Sequence, residues 1–124
     1  MQFTDVCFFS DNVLDLANFY EKLFQVKAEG DNVHCFINAN GLGIAIYSKF
    51  AAENDMGFNL SGCGRGLFSI GFNCDDADIE YKRIKELNIC KPTKPKLWPW
   101  GAKSFRLNDI DGNLIVIRSW QKVD

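Results

Sequence analysis

Long apolar runs, basic clusters and closely spaced cysteines are all missing from this 124-residue sequence. No apolar run approaches the roughly 20 residues that a membrane-spanning helix needs, and the first residues show no basic segment followed by an apolar one. We therefore expect no membrane partner and a cytoplasmic location. With 14 basic and 16 acidic residues and no basic run, the sequence also argues against a nucleic-acid partner.

Signatures of metal centres and of activated nucleophiles are scarce as well. The five cysteines are Cys7, Cys35, Cys63, Cys74 and Cys90. They are odd in number and form no Cys-x-x-Cys pair, so we expect buried or half-buried free thiols rather than disulfides or a zinc site. His34 is the single histidine, and on a strand it would point away from Cys35. This argues against a Cys-His catalytic pair and favours a structural or exposed His34.

Aromatic residues, in contrast, are abundant. Hydrophobic residues make up 47% and charged residues 24% of the chain, as in ordinary globular domains. A single domain of this length buries roughly two thirds of its unfolded surface. The 11 Phe, three Trp and three Tyr exceed what such a core needs. Some of them are therefore expected to line a binding site.

The order of predicted elements repeats once along the chain. Each half reads strand, helix, strand, strand, strand, which gives module 1 (about 1–49), a linker (50–65) and module 2 (about 66–124). In module 1 the predicted strands are 2–9, 26–30, 33–39 and 42–49, with a helix from about Val13 to Phe24. In module 2 they are 66–74, 90–93, 102–108 and 114–120, with a helix that is capped by Asp75 or Asp76 and ends near Leu87. Asn40-Gly41 and Asp111-Gly112 are predicted hairpin turns.

The linker shows no period and contains three glycines. It is long for a compact domain, which favours a lid or a crossover between the halves. Met56 and Phe58 in its middle either cover a cavity or anchor the loop.

Alternation along the strands separates two faces of the predicted sheet. Pairs such as Ile44/Ile46 and Ile115/Ile117 form an apolar face, which helices are expected to cover. The opposite face mixes small, polar and aromatic residues, as a small-molecule cleft does, although a solvated sheet face would be similarly polar. We predict an α+β fold in which two tandem β-α-β-β-β modules form a curved mixed sheet around a cleft, with the helices on its outer face.

Three stretches carry a resemblance to a known family. Phe19-Tyr20 ends the first helical stripe, and the segment 109–113 reads DIDGN, close to a DPDGN motif, before the last strand. With the repeated modules, these residues resemble the vicinal oxygen chelate superfamily, which includes glyoxalases, extradiol dioxygenases and bleomycin-resistance proteins. Pro99-Trp100-Gly101 followed by Phe105 is most similar to the bleomycin-resistance branch. The resemblance implies one domain over residues 1–124.

The resemblance also implies four metal-ligand positions, on the first and last strand of each module. They fall here on Asp5, on Ala45 or the adjacent Ile46, on Ser69 and on Val116. Only Asp5 is a good metal ligand, and alanine and valine have no donor atom. We therefore expect no metal, no cofactor and no catalytic residue set.

Ligand-binding residues can be proposed more readily. The expected contacts are Asp5, Tyr47, Ser69, Asn73, Trp98, Trp100, Arg118 and Trp120. Indole rings can stack on a planar or hydrophobic ligand, and the arginine can pair with a carboxylate or phosphate. Asp5 would hold a cationic ligand group or neutralise Arg118. For each residue a packing or surface role is the alternative, such as an edge strand with its arginine in solvent.

Three functions are consistent with these residues. The first is a metal-independent binding protein of the bleomycin-resistance type, which sequesters a small aromatic or amphipathic molecule such as an antibiotic. The second is a glyoxalase-like lyase or related enzyme, and the third is a protein-interaction domain. The resemblance further implies a homodimer in which exposed aromatics such as Trp98 form interface or cleft walls.

Overall fold

The chain forms two compact units, Met1–Leu67 and Phe68–Asp124. The structure, a computed structural model, describes residues 1–64 and 66–121. Arg65, the last residue of the predicted linker, and residues 122–124 of module 2 lie outside the described residues. Within the described ranges, no helix is long and apolar enough to cross a membrane.

The first unit is a four-stranded mixed sheet with a helix packed on one face. Its strands are β1 (Asp5–Ser10), β2 (Glu29–Gly30), β3 (His34–Ala39) and β4 (Leu42–Ser48), and its helices are α1 (Val13–Phe24) and α2 (Lys49–Asn54). A 3-10 turn follows at Leu60–Gly62. The strand order is β1-β4-β3-β2, and only β1 and β4 pair in parallel. α1 buries Leu16, Tyr20 and Leu23 against this sheet.

The second unit repeats this arrangement. Its elements are β5 (Ser69–Asn73), α3 (Ala77–Leu87), β6 (Lys96–Leu97), β7 (Ala102–Asn108) and β8 (Leu114–Trp120). The strand order is β5-β8-β7-β6, again with only the first pair parallel. The predicted α+β class and the repeated order are therefore confirmed, with one four-stranded sheet in each unit.

Helix α3 is fixed to the second sheet by polar contacts at its start and by ring packing. The Asp76 carboxylate accepts hydrogen bonds from the N–H groups of Asp78 and Ile79, which confirms one of the two predicted caps. The buried Ser119 hydroxyl of β8 accepts another from the N–H of Ala77, at 3.0 Å. Tyr81 then meets Phe105 of β7 edge to face, with 5.7 Å between ring centroids.

Asp109 organises the turn between β7 and β8. Its carboxylate, only 5% exposed, accepts hydrogen bonds from the N–H groups of Asp111 and Asn113 and from the Asn113 side-chain amide, each at 2.9 Å. Gly112 has a φ of 88°, so a glycine is required there, as predicted. The loop spans residues 109–113, as the predicted strand bounds require, and its β-turn runs from Asp109 to Gly112.

Two predicted elements of the chain are wrong. The linker contains helix α2, which the Ser48 hydroxyl caps by accepting from the N–H of Ala51 at 3.2 Å. Six residues are too few to show a helical period. The predicted strand at 90–93 is absent from the described residues, and pairing begins instead at Lys96. Pro92 and Pro95 lack the N–H that a strand needs, although Thr93 still bonds to β7.

Several strand ends also differ. β1 begins at Asp5 instead of residue 2, β2 at Glu29 instead of residue 26, and β5 at Ser69 instead of residue 66. Phe68 lies within the predicted strand 66–74, but it precedes β5 and is 61% exposed. The predicted turn at Asn40-Gly41 is confirmed, since both residues have positive φ.

The five cysteines and the single histidine have largely the burial that the sequence predicts. All five cysteines are free; Cys35 is buried, and Cys7, Cys74 and Cys90 are half-buried, but Cys63 is exposed on the loop after the 3-10 turn. Burial raises the pKa of the Cys7, Cys35, Cys74 and Cys90 thiols, which keeps them protonated and unreactive near neutral pH. His34 is exposed while Cys35 is buried, so the two point apart as predicted.

The aromatic residue in the middle of the linker packs within the first unit. Phe58 contacts Phe9 edge to face, with 6.1 Å between ring centroids, and its side chain is partly exposed. Met56 is exposed as well. Of the two predicted roles for this pair, the Phe58 contact supports anchoring of the loop.

We predict that Asp109→Ala lowers the free energy of unfolding by about 1–3 kcal/mol, because three donors lose their charged acceptor at a buried site. Urea denaturation measures the difference. The matched control is Asp111→Ala, two residues away in the same turn, where an exposed carboxyl is removed and a change within about 0.5 kcal/mol is expected. Equal losses in the two variants would show that Asp109 does not hold the turn.

Candidate functional site

A groove of about 510 Å³ lies on one face of the second unit's sheet. We call this the open face; it carries the side chains of Ser104, Arg106, Val116 and Arg118. The groove is lined by two tryptophans (Trp98 and Trp100), four cations (Lys94, Lys96, Arg106 and Arg118), two hydroxyl residues (Thr93 and Ser104) and three apolar residues (Ala102, Phe105 and Val116).

Strand register brings the polar members of the groove together. Ser104 of β7 lies opposite Arg118 of β8, and Arg106 lies opposite Val116. Lys96 of β6 pairs with Ser104 from the other side. Since side chains alternate along a strand, directly opposed residues point to the same face, and α3 covers the other face through Phe105. The groove therefore combines side chains from β6, β7, β8 and the turn after β6.

A tight turn positions the two tryptophans. The carbonyl of Trp98 accepts a hydrogen bond from the N–H of Gly101 at 3.0 Å, which closes a four-residue β-turn with Pro99 and Trp100 at its tip. Proline is favoured at the second position of such a turn because its ring fixes φ. The turn brings the indoles of Trp98 and Trp100 into a parallel stack, with centroids 5.2 Å apart and planes 8° from parallel.

Trp98 supports the stack, whereas Trp100 presents it to solvent. The Trp98 indole N–H donates to the Ser104 hydroxyl at 2.8 Å, and the Lys96 ammonium lies 4.4 Å from the centre of its ring. A cation over an indole face stabilises this arrangement by roughly 0.5–1 kcal/mol. Trp98 is accordingly half-buried, while Trp100 is 66% exposed. The ring that a ligand can reach is that of Trp100.

The Arg118 side chain reaches to Gly71 of β5, where no side chain occupies the space. A Cβ added to Gly71 would lie 2.8 Å from one terminal guanidinium nitrogen of Arg118 (Nη1) and 3.0 Å from the other (Nη2). The guanidinium therefore rests directly over the Gly71 backbone. A larger residue at position 71 would push it away from this place.

The predicted site residues separate into three groups. Trp98, Trp100 and Arg118 line the groove. Ser69 and Asn73 are exposed on β5 and Trp120 is 55% exposed on β8, on the open face beside the groove. The Trp120 indole N–H donates to the Asn73 side-chain oxygen at 3.3 Å. Asp5 and Tyr47 belong to the first unit, where Asp5 accepts from the Thr4 hydroxyl and Tyr47 packs near His34.

Lysines, an arginine and two hydroxyl residues of the groove were not predicted. These are Thr93, Lys94, Lys96, Ser104 and Arg106. A signal for them exists, because Lys94, Lys96, Trp98 and Trp100 follow one another at every second residue. Register counted from the hairpin turn would likewise have put Ser104 opposite Arg118. The predicted strand at 90–93 hid the first pattern.

A model of the glyoxalase/bleomycin resistance protein/dioxygenase superfamily matches residues 3–117, nearly the whole chain. The chain belongs to this superfamily. The resemblance in the sequence is thereby confirmed. No curated protein sequence matches the chain.

Solved structures of this superfamily share the fold at low sequence identity. A glyoxalase/bleomycin resistance protein/dioxygenase from Nocardioides superposes with a TM-score of 0.81 at 15% identity, over 100% of this chain and 86% of its own. A lactoylglutathione lyase from Agrobacterium tumefaciens gives 0.74 at 17% identity, over 95% and 92% of the two chains. A bleomycin-binding protein complexed with bleomycin gives 0.67 at 21% identity, over 98% and 99%.

The superfamily's metal-ligand positions do not fit a metal in this chain. Ala45 and Val116 have no donor atom, and Ala45 is buried in the first sheet. The neighbouring Gly43 is covered by the Phe36 ring, which approaches its backbone from β3. Within the described part of the chain, no three His, Cys, Asp or Glu side chains gather into a group that would hold a metal ion.

We predict that the Trp98–Trp100 stack gives a coupled indole signal in near-ultraviolet circular dichroism, because parallel rings at this separation interact. Trp100→Ala should remove the signal. Trp120→Ala is the control, since that exposed indole stacks on no other ring in the described residues and its loss should leave the signal in place. A signal that survives Trp100→Ala would contradict the stacked turn.

Proposed function

We propose that this superfamily member is a metal-independent binding protein that sequesters a small aromatic or amphipathic molecule, such as an antibiotic, in the groove of its second unit. The observation that carries the proposal is that the exposed Trp100 ring and the half-buried Arg118 side chain line one groove of about 510 Å³. A volume in this range suits a ligand of drug size. Sequestration needs only affinity, so the missing metal donors do not count against it.

The likeness to a bleomycin-binding protein in complex with bleomycin supports a binding role for this fold. At 21% identity this likeness extends to the fold alone, so the ligand of this chain has to be argued from its own residues. Of the proposed contacts, Trp98, Trp100 and Arg118 are the central ones, and Ser69, Asn73 and Trp120 would extend the site along the open face. Asp5 and Tyr47 remain proposed contacts from the first unit.

We further propose that the two units act as one domain, that the protein is a homodimer and that it is cytoplasmic. The superfamily match spans both units, which supports a single domain. Exposed aromatic side chains such as Phe68 and Trp120 offer surface that a second chain would cover. The five free thiols suit a reducing compartment.

The second candidate is a glyoxalase-like lyase or related enzyme of the superfamily. The structural likeness to a lactoylglutathione lyase favours it. It requires several convergent ligands for a catalytic metal, and the residues Ala45 and Val116 argue against that requirement. The two candidates therefore differ in whether the bound molecule is converted.

Titration of tryptophan fluorescence with a panel of aromatic and amphipathic compounds, antibiotics included, tests the proposal. We expect saturable binding at one site per chain, recovery of the ligand unchanged, and a loss of roughly tenfold in affinity for Trp100→Ala. Phe50→Ala, which removes an exposed aromatic ring of α2 that does not line the groove, should bind nearly as well as the unaltered chain.

The same titration is repeated after elemental analysis and after addition of Ni, Zn, Mn and Fe. Chemical conversion of the ligand that depends on stoichiometric metal would establish the lyase and refute sequestration. A panel in which Trp100→Ala never changes affinity would remove the groove as the binding site.

A further inference from the structure

We propose that the groove selects a planar aromatic anion, meaning a ring system that carries a carboxylate or a phosphate group. This inference rests on the proposed function, because it names the ligand class of the same groove. Three observations carry it: the charge of the lining, the placement of Arg118, and the ring surface of Trp100.

Among the described residues, the lining of the groove is positively charged and contains no acid. Four of the eleven described lining residues are lysine or arginine, and none of the eleven is aspartate or glutamate. The chain as a whole carries a net charge of -2, so the positive charge is a local feature of this surface. Concentrated positive charge attracts an anion and repels a cation. The acidic partner that Asp5 was expected to supply does not line this groove.

The groove cations are not neutralised within the described residues. The ion pairs in the described residues are formed by Lys49, Arg83 and Lys103, and none of these three lines the groove. Lys96 contacts an aromatic ring instead of a carboxylate. As far as the described part of the chain extends, the four positive charges are therefore available to a ligand.

Arg118 provides oriented hydrogen-bond donors in addition to its positive charge. It is half-buried, and its guanidinium rests over Gly71 in contact with strand β5. In the described residues its side chain has no carboxylate partner. A guanidinium held in place offers a flat pair of N–H donors, which matches the two oxygens of a carboxylate or phosphate.

The Trp98–Trp100 stack accounts for the aromatic part of the ligand. Trp98 uses its N–H on Ser104 and supports Trp100, whose ring is largely exposed. An exposed indole that is held by stacking and by a β-turn is a surface on which another flat ring can lie with little loss of side-chain freedom. An acid group at Arg118 and a ring on Trp100 together define the ligand class.

Four probes of nearly equal shape separate charge from ring stacking. Naphthoate and naphthyl phosphate are anions, naphthamide is neutral, and naphthylmethylammonium is a cation. Equilibrium dialysis against the full chain measures each affinity. We expect both anions to bind at least about tenfold more tightly than the amide, with the ammonium probe weakest. Raising the salt concentration from about 0.05 to 0.5 M should weaken only the anions appreciably.

Single substitutions test whether the preference for anions arises from the groove. Arg118→Gln should remove most of the preference for anions while leaving naphthamide binding unchanged. Lys82→Gln makes the same change in net charge on an exposed position of α3, away from the groove, and should have no effect. Arg118→Lys should restore part of the preference, because it keeps the charge without the planar donor pair. Gly71→Ala should weaken anion binding by displacing the guanidinium, with the fold checked by thermal unfolding.

Each outcome decides a separate point. Equal binding of all four probes, lost in Trp100→Ala, would overturn the anion preference and leave the proposed binding function standing. A preference for anions that Arg118→Gln does not alter would overturn the assignment to this groove. Failure of every probe to bind would overturn the ligand class, while the fluorescence panel would still decide whether the groove binds other molecules.

Discussion

The pairing register of β7 with β8 is the constraint on which the site depends. Side chains alternate along each strand, so a slip of one residue would carry Arg118 to the face covered by α3 and bring Ile117 out to solvent. The buried Asp109 carboxylate prevents such a slip by gathering three donors of the connecting turn. The same register sets Ser104 opposite Arg118, and Ser104 in turn fixes the Trp98 indole. One turn therefore orders both the charged and the aromatic parts of the groove.

Membership of the superfamily determines the fold of this chain but leaves its chemistry to individual side chains. The positions that would hold a metal include an alanine and a valine, so the two sheets are retained without the donors that metal chemistry requires. In the second unit, an exposed indole and a set of cations line the open face instead. A site of this kind can recognise a molecule through shape and charge, and it needs no group that breaks bonds.

Many helices and strands of both units were predictable from local signals in the sequence. The bounds of β7, β8 and α1 were obtained correctly, because each has a clear period between strong turn or cap residues. Helix α2 was missed since six residues cannot show a period, and β6 was displaced because prolines at positions 92 and 95 interrupt the extended segment. Among the proposed ligand-binding residues, Trp98, Trp100 and Arg118 line the groove. Lys94 and Lys96 were overlooked because the strand predicted at 90–93 drew attention away from their alternation with Trp98 and Trp100.

The open face of the second unit is the ligand-binding site that we propose. The most direct measurement is an NMR titration of the isotopically labelled chain with naphthoate, which follows the backbone amide and tryptophan indole N–H resonances. The account predicts the largest shifts at the Trp98 and Trp100 indoles and at the backbone of residues 93–106 and 116–118. Largest shifts among β1 to β4, with the Trp98 and Trp100 indoles unmoved, would contradict it.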